Sequence, residues 1–226
     1  MKKTAILLVA LLIMVAANAQ EKRKVGNFTK LNVKGPFDVT LVSGKGDLTI
    51  TTSDQDILKS IITEVKNNTL TISFQNSFKW NNKIKYLKVE VPFTALDEIL
   101  LTGSGSIVST PTVNSDNLKV TLTGSGDIDL KINSKNTAAA LNGSGDLTLS
   151  GKTTNLEGAV VGSGDLKAFG LISENTEITV SGSGDGKVYA SENIKARVIG
   201  SGDINYKGNP KKEDTKVSGS GDISKG

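Results

Sequence analysis

Apolar and polar residues follow a pattern that repeats about every 19 residues from residue 101 onward. Each repeat is marked by Gly-Ser-Gly, and six of the seven copies continue with Asp. The copies are separated by 21, 19, 19, 20, 18 and 19 residues and begin at Gly103, Gly124, Gly143, Gly162, Gly182, Gly200 and Gly219. A fixed period of this length indicates an array of similar units, each of which stacks on the next.

Two columns of the repeat are aliphatic in almost every copy when the Asp (Ser106 in the first copy) is counted as position zero. The column five residues before it contains Leu or Val in all seven copies, and the column one residue after it contains Ile or Leu in all but Gly186. Two mixed columns, at minus seven and plus three, also have odd offsets. Side chains of a strand alternate between its faces, so the odd positions form one apolar face and the even positions a polar one.

This pattern predicts an all-β fold, a single-stranded parallel β-helix (solenoid) with turns of about 19 residues. Consecutive turns would pair at about 4.8 Å, and like residues would stack inside. The Gly-Ser-Gly motif would lie either on an inward face or at a corner, where glycine serves the backbone. A second corner is predicted in segments of loop composition, whose variable length would explain the uneven spacing. These segments are residues 133–136, 151–155 and 207–210.

Three regions follow from the pattern. Residues 1–19 have the features of a signal peptide: Lys2 and Lys3, the apolar run Ala5 to Ala17, and a small-x-small cleavage site that ends at Ala19. Residues 20–100 lack the motif but contain strand-like alternation and most of the aromatic residues, and they are predicted to form an N-terminal β-rich cap and opening turns. Residues 101–226 are the Gly-Ser-Gly-Asp repeats.

Three features of the chain resemble a known family. They are Gly35-Pro36-Phe37-Asp38-Val39, the segment Val89-Glu90-Val91-Pro92 that leads to Leu96, and the serial Gly-Ser-Gly-Asp turns. On these features the chain is similar to the "putative auto-transporter adhesin, head GIN domain" family of exported bacterial proteins, especially from Bacteroidota-like organisms. The resemblance implies a parallel β-helix and a role in adhesion. It implies no catalytic or ligand residues.

Composition removes several kinds of chemistry. The chain has no Cys and no His, so it contains no disulfide, no thiolate and no histidine base or metal ligand. Loss of Lys2 and Lys3 with the signal would lower the formal net charge from +4 to +2. The charges are scattered and form no basic stripe, so we expect no nucleic-acid partner. No segment of the mature chain is apolar enough to be a transmembrane helix.

The carboxylates of the repeat are the most specific candidate site. Even offsets place them outward, stacked at about 4.8 Å, where like charges cost roughly 1 kcal/mol per neighbour in water. Local bonds from backbone N–H groups or Ser hydroxyls would compensate. The alternatives are a ladder of calcium ions, the one cofactor considered, or direct ligand contact. The candidates are Asp127, Asp146, Asp165, Asp185, Asp203 and Asp222.

Two aromatic residues form a second candidate site. Phe169 and Tyr189 occupy the outward plus-four position of adjacent turns. Stacked exposed rings could bind a sugar, although such rings more often cover the turn below them.

These features favour a non-catalytic exported binding module at the cell envelope, located in the periplasm, at the outer surface or outside the cell. Its expected partners are glycans or extracellular matrix, and replacing Asp146, Asp165 and Asp185 by Ala should weaken binding. The alternative is a periplasmic structural protein that assembles as a homo-oligomer through its C-terminal edge. A polysaccharide-degrading enzyme ranks third, because a catalytic carboxylate pair occupies one place whereas these residues repeat.

Overall fold

The computed structural model describes residues 19–75 and 84–226. The residues preceding Ala19, which contain most of the predicted signal peptide, lie outside this range. The described part is almost entirely β-structure, with 18 strands in one continuous sheet and one short 3-10 helix, Gln55–Ser60. The strands are β1 (Ala19–Arg23), β2 (Lys30–Lys34), β3 (Asp38–Ser43), β4 (Leu48–Thr52), β5 (Ile61–Lys66), β6 (Thr69–Phe74), β7 (Leu87–Phe93), β8 (Glu98–Gly103), β9 (Ser106–Ser109), β10 (Val113–Gly124), β11 (Asp127–Gly143), β12 (Asp146–Gly162), β13 (Asp165–Gly182), β14 (Gly186–Tyr189), β15 (Asn193–Gly200), β16 (Ile204–Lys207), β17 (Lys212–Gly219) and β18 (Ile223–Lys225).

Strands β8 to β18 form the predicted parallel β-solenoid. Each turn pairs in parallel with the next, and equivalent residues of the repeat face one another: Gly124 pairs with Gly103 on one side and with Gly143 on the other. The same register continues through β12, β13, β15 and β17. The sequence-based prediction of fold class is therefore confirmed.

The odd-numbered columns form the core. In the minus-five column Leu122, Leu141, Val160 and Val180 are all fully buried, and Ile107 and Leu147 are fully buried in the plus-one column. Aliphatic side chains stack on their equivalents in neighbouring turns, so a chain with 4% aromatic residues still fills its interior. Val217 in β17 is 41% exposed, because no turn of the described chain packs beyond it.

The repeat begins one turn earlier than the Gly-Ser-Gly pattern indicates. Strands β2 and β3 pair in parallel with β8 and β9, and this places Gly35-Pro36-Phe37-Asp38 beside Gly103-Ser104-Gly105-Ser106. The backbone of Gly35 donates to Thr102 O at 2.8 Å, and Ser106 donates to Phe37 O at 2.9 Å. Phe37 occupies the place of the second glycine, and its ring stacks on Phe74 at 4.8 Å. The family-like segment at residue 35 is thus a divergent copy of the motif.

The N-terminal end of the solenoid is closed by strands that run against its direction. Strands β6 and β7 pair in parallel with β2 and β3, whereas β5 and β4 pair antiparallel with β6 and β7. Strand β1 then pairs antiparallel with β4. Reversed outer strands cover the edge of the parallel stack, which would otherwise present unpaired backbone groups.

The second corner lies within residues 133–136 and 151–155 as predicted, but the prediction that these segments are loops is wrong, whereas residues 208–211 do lie between β16 and β17. Both segments lie inside the continuous strands β11 and β12, and Ser134 and Asn136 pair with Thr153 and Asn155. The corner is one residue wide, since only the residue between each such pair drops out of the register. Part of the variation in repeat length has another cause. Thr148 pairs with Lys167 but Ser150 pairs with Gly170, so β13 has one extra residue at Phe169.

Candidate functional site

The Gly-Ser-Gly corner packs backbone directly against backbone. A Cβ atom on Gly143 would lie 2.1 Å from Gly124 O, and one on Gly145 would lie 1.9 Å from Gly126 O. Gly143 also has a φ of +137°, in a region that residues with a Cβ rarely adopt. The first and second glycines of the later turns are crowded in the same way, whereas a Cβ on Gly103 would lie 2.9 Å from Gly35 O. The glycines of the motif are therefore required for the close stacking of turns.

The Asp column turns its carboxylates onto the backbone of the following turn. Asp127 Oδ1 accepts the Asp146 N–H at 3.1 Å, and Asp165 Oδ1 accepts the Asp185 N–H at 3.1 Å. Asp185 and Asp203 accept in the same way from Asp203 and Asp222, at 3.0 and 2.8 Å. A charged acceptor makes a strong hydrogen bond, and each bond offsets part of the repulsion between stacked carboxylates.

Two other contacts involve the Asp column: one adds a residue to it, and the other places a positive charge beside it. In the divergent first turn Asp38 Oδ1 accepts from Ser106 Oγ at 3.0 Å, so the column also includes Asp38. Lys167 Nζ donates to Asp146 Oδ2, and this bond, together with the surrounding Asp carboxylates, raises the pKa of Lys167 despite its partial burial. The column thus contains its own counter-ion near the middle of the solenoid.

Among the residues that the structure describes, the Asp column is not part of a cluster of acidic side chains that could hold a metal ion. Across residues 19–75 and 84–226 there is no group of three or more Asp or Glu side chains arranged to hold a metal ion. Calcium takes six to eight oxygen ligands, and Oδ1 of four of these Asp residues is already a backbone acceptor. Calcium binding by this column stays a prediction.

Phe169 and Tyr189 are both partly exposed, and both contact the turns that follow them. The Lys207 ammonium lies 4.6 Å from the centroid of the Phe169 ring, a cation–π contact. The Tyr189 ring lies against Gly208, where a Cβ would be 3.3 Å from Cζ. A role for these rings in sugar binding stays a prediction.

A second ladder runs along the other corner, built from asparagines. The side chain of Asn136 donates to Asn117 Oδ1 at 2.8 Å, and Asn155 donates to Asn136 Oδ1 at 2.8 Å. Asn175 donates to Asn155 Oδ1 at 2.9 Å, and Asn193 donates to Asn175 Oδ1 at 2.5 Å. All five residues lie seven positions before a Gly-Ser-Gly motif, although this asparagine ladder was not recognised from the sequence.

Inward hydroxyl groups hold the corner that carries the asparagine ladder. Each Asn is preceded two residues earlier by Ser or Thr, so the corner has the sequence Ser/Thr-x-Asn. Ser115 Oγ donates to Asn117 O at 2.9 Å, and Thr153 Oγ1 donates to Asn155 O at 3.1 Å. Thr153 Oγ1 also lies 3.1 Å from Ser134 Oγ and from Thr137 Oγ1. These hydroxyls bond the backbone where the strand bends. The repeated triplet, at constant distance from the glycines, is the signal that could have revealed the asparagine ladder.

The asparagine ladder forms one wall of a groove of about 750 Å³ that runs along the solenoid axis. The next residue of each turn points inward and forms the floor, where Leu118, Leu156 and Ile194 are 2% exposed. The residue after that points outward again and forms the opposite wall. The groove runs beside the Ser/Thr-x-Asn corners, where one residue of each turn leaves the register between turns. The wall opposite the ladder consists of Lys119, Ala138, Glu157, Glu177, Lys195 and Asp214.

The charges of the groove are mostly paired. Lys195 Nζ lies 2.5 Å from Glu177 Oε1, and Lys119 Nζ lies 3.6 Å from Glu98 Oε1. Arg197 bonds Asp214 and thereby lowers the pKa of that carboxyl. Burial and a 3.0 Å bond to Glu213 raise the pKa of the Tyr206 hydroxyl. Three lysines and four carboxylates line the groove, so its net charge is small.

Strand β17 belongs to the last turn that the structure describes. All eight residues of β17 are exposed.

Within the described ranges there is no helix long and apolar enough to cross a membrane.

Comparison with solved structures finds the same architecture in several bacterial proteins. A putative adhesin from Bacteroides fragilis is 26% identical, with a TM-score of 0.86 over 92% of this chain and 97% of that one. A putative lipid binding protein from Parabacteroides distasonis is 24% identical, with a TM-score of 0.72 over 92% and 96% of the two chains. A putative adhesin from Parabacteroides merdae is 20% identical, with a TM-score of 0.68 over 92% and 96%. At 24% and 20% identity the last two likenesses show the fold alone.

No protein with a curated description matches the sequence. The family model for the putative auto-transporter adhesin, head GIN domain, matches residues 27–210. This match begins just before the divergent turn at Gly35 and continues through the Gly-Ser-Gly-Asp turns to Pro210. The chain therefore belongs to the putative auto-transporter adhesin, head GIN domain family.

Proposed function

We propose that this chain is a non-catalytic, exported binding module of the adhesin type that acts at the cell envelope. The observation that carries the proposal is the repetition of outward polar side chains at constant register over successive turns. A surface of this kind offers many equal, weak contacts along one line, which suits an extended partner better than a single small substrate.

The Asp column supports a binding module over an enzyme. A glycosidase needs one carboxyl with a raised pKa opposite a second, ionised carboxylate. Here four of the six carboxylates accept the backbone N–H of the equivalent Asp in the next turn, so no pair of carboxylates is set apart from the rest in this way. The family and the structurally similar proteins, which are named as adhesins, agree with this proposal.

Export is supported by residues 1–19. Lys2 and Lys3, the apolar run from Ala5 to Ala17, and Ala17-Asn18-Ala19 form the three parts of a secretory signal. Cleavage after Ala19 would leave Gln20–Arg23 to pair with β4.

Binding to immobilised surfaces tests the proposal. The purified mature chain is fluorescently labelled and applied to mucin, fibronectin, collagen, bacterial polysaccharide and phospholipid vesicles. We expect saturable binding to at least one of these surfaces, together with removal of the protein from intact cells by external protease while a periplasmic control survives. Failure to bind any surface, with full protection from external protease, would overturn the proposal.

A second candidate function is structural assembly in the periplasm, which the exposed β17 favours. An open edge strand can pair with another chain. This alternative predicts a mass that rises with concentration in light scattering, and a loss of that rise when Val217 is replaced by Lys. A monomer at high concentration would exclude it.

A further inference from the structure

We propose that the groove beside the asparagine ladder is a binding site for a neutral glycan chain that lies along the solenoid axis. The inference rests on the proposed function as a binding module, and it identifies the face and the class of ligand.

The asparagine ladder leaves hydrogen-bonding capacity on its open side. A carboxamide has two N–H donors and an oxygen with two lone pairs. Asn136, Asn155 and Asn175 each use one N–H and one lone pair within the ladder. Each can therefore donate and accept once more, towards the groove. The five amides repeat at about 4.8 Å and span about 19 Å, so they form a row of mixed donors and acceptors.

A row of mixed donors and acceptors suits sugar hydroxyls, which also donate and accept. Leu118, Leu156 and Ile194 point into the core below the floor, so the apolar surface that the C–H face of a pyranose can cover is that of Ala138 on the opposite wall. An extended glycan also repeats at a length close to the strand spacing, so successive sugars can meet successive turns.

Charge argues for a neutral chain. Glu157, Glu177, Glu213 and Asp214 line the groove together with three lysines. Lys195 is already paired with Glu177, so little positive charge remains for a polyanion. A nucleic acid or a sulfated glycan would bring phosphate or sulfate groups close to carboxylates and would be repelled.

Two other occupants fit the groove less well. A peptide that binds by strand addition needs an unpaired backbone edge. The backbone here is paired with both neighbours, since Asn136 pairs with Asn117 and with Asn155. An acyl chain would cover the free amide N–H groups and give them no acceptor, which is costly.

The test combines a ligand panel with two pairs of variants. The mature chain is titrated calorimetrically with neutral cello-, xylo-, malto- and manno-oligosaccharides of six or more sugars. Ala138→Trp fills the groove, and Ala140→Trp is its matched control, because Ala140 lies outward on the same strand but outside the groove. The triple variant Asn136→Ala, Asn155→Ala, Asn175→Ala removes the amides. Its control is Thr123→Ala, Asn142→Ala, Ser181→Ala in the outward minus-four column.

We expect one class of oligosaccharide to bind, with affinity at least tenfold weaker in Ala138→Trp and in the Asn triple variant and unchanged in both controls. Circular dichroism and melting curves establish that the variants are folded. Equal binding by all variants would contradict the proposal that the groove is the binding site, but not the proposed binding function. Binding of matrix proteins or vesicles without binding of any oligosaccharide would have the same meaning. Absence of binding to every surface and every oligosaccharide would overturn the proposed function as well.

Discussion

The two corners of each solenoid turn both carry small polar side chains, but these side chains have different roles at the two corners. At the Gly-Ser-Gly-Asp corner the backbones of successive turns touch, and the carboxylates are used on backbone N–H groups. At the Ser/Thr-x-Asn corner the hydroxyls hold the backbone from inside, and the amides bond one another while facing solvent. The more conspicuous motif is therefore the structural one, and the less conspicuous motif forms a groove. Among the repeated outward groups, those of the asparagine corner retain more hydrogen-bonding capacity for a ligand than the carboxylates bonded to the backbone.

The largest expected effect is at the glycine corner. Gly145→Ala would place a methyl group 1.9 Å from Gly126 O, where neither backbone can move without breaking the ladder. We expect a loss of about 3 kcal/mol or more in the free energy of unfolding, measured by urea denaturation. Gly46→Ala is the control, because its methyl would meet only Pro92 Cγ at 3.9 Å, and its effect should stay within about 0.5 kcal/mol. Equal stability of the two variants would show that the corner tolerates side chains.

A smaller effect is expected inside the asparagine corner. Thr153→Val keeps the shape of the side chain but removes a buried hydroxyl that bonds Ser134, Thr137 and the backbone. Leaving these groups without a partner should cost about 1–3 kcal/mol in urea denaturation. Thr153→Ser retains the hydroxyl and should lose less. If Val and Ser behave alike, hydroxyl bonding does not hold this corner.

The Asp column should give a smaller effect still. Asp185→Ala leaves the Asp203 N–H without its acceptor, which should cost about 1 kcal/mol. Asp185→Asn keeps an acceptor and removes a like charge, so its stability should equal or exceed that of the parent chain. Thermal melting at low salt compares the stability of the two variants with that of the parent chain. A less stable Asn variant would mean that the negative charge itself is needed at this position.

The smallest expected effect concerns pH. The bond from Arg197 lowers the pKa of Asp214 below its usual 3.8, so the folded state binds this proton less readily than the unfolded chain. The contribution to stability is present above pH 3.8 and is lost as pH falls through the lowered pKa. Arg197→Gln should return the Asp214 pKa towards 3.8, as followed by carboxyl NMR titration. An unchanged titration would mean that Arg197 does not influence the carboxyl.

The solenoid could be predicted because two simple periods coincide. Alternation within strands marks Leu122 and Ile128 as inward, and the 19-residue repeat aligns them with Leu141 and Leu147 in the next turn. At one corner the backbones of successive turns stack so closely that only glycine fits. The Gly-Ser-Gly motif therefore repeats in successive turns and marks the register between turns. The Asp side chains could be placed outward by the same count.

Other parts of the molecule could not be predicted from this pattern. Opening turns are predicted in residues 20–100, but the pattern does not align Gly35 with Gly103, because Phe37 replaces the second glycine and strands β4 to β7 lie between the two glycines in the chain. The asparagine corner was interpreted as a loop, since Ser, Lys, Thr and Asn are typical of turns. Its groove depends on how the corners of successive turns align, and hydroxyl bonds between Ser134, Thr137 and Thr153 join these corners.

The central claim, that the asparagine corner and not the aspartate corner recognises a ligand, is tested most directly by NMR. The 15N-labelled mature chain is titrated with the tightest-binding neutral oligosaccharide of the panel. The account predicts shifts of the side-chain amide signals of Asn136, Asn155 and Asn175, with little change at the backbone amides of Asp146, Asp165 and Asp185. Shifts confined to those Asp amides, with the Asn side chains unmoved, would contradict it.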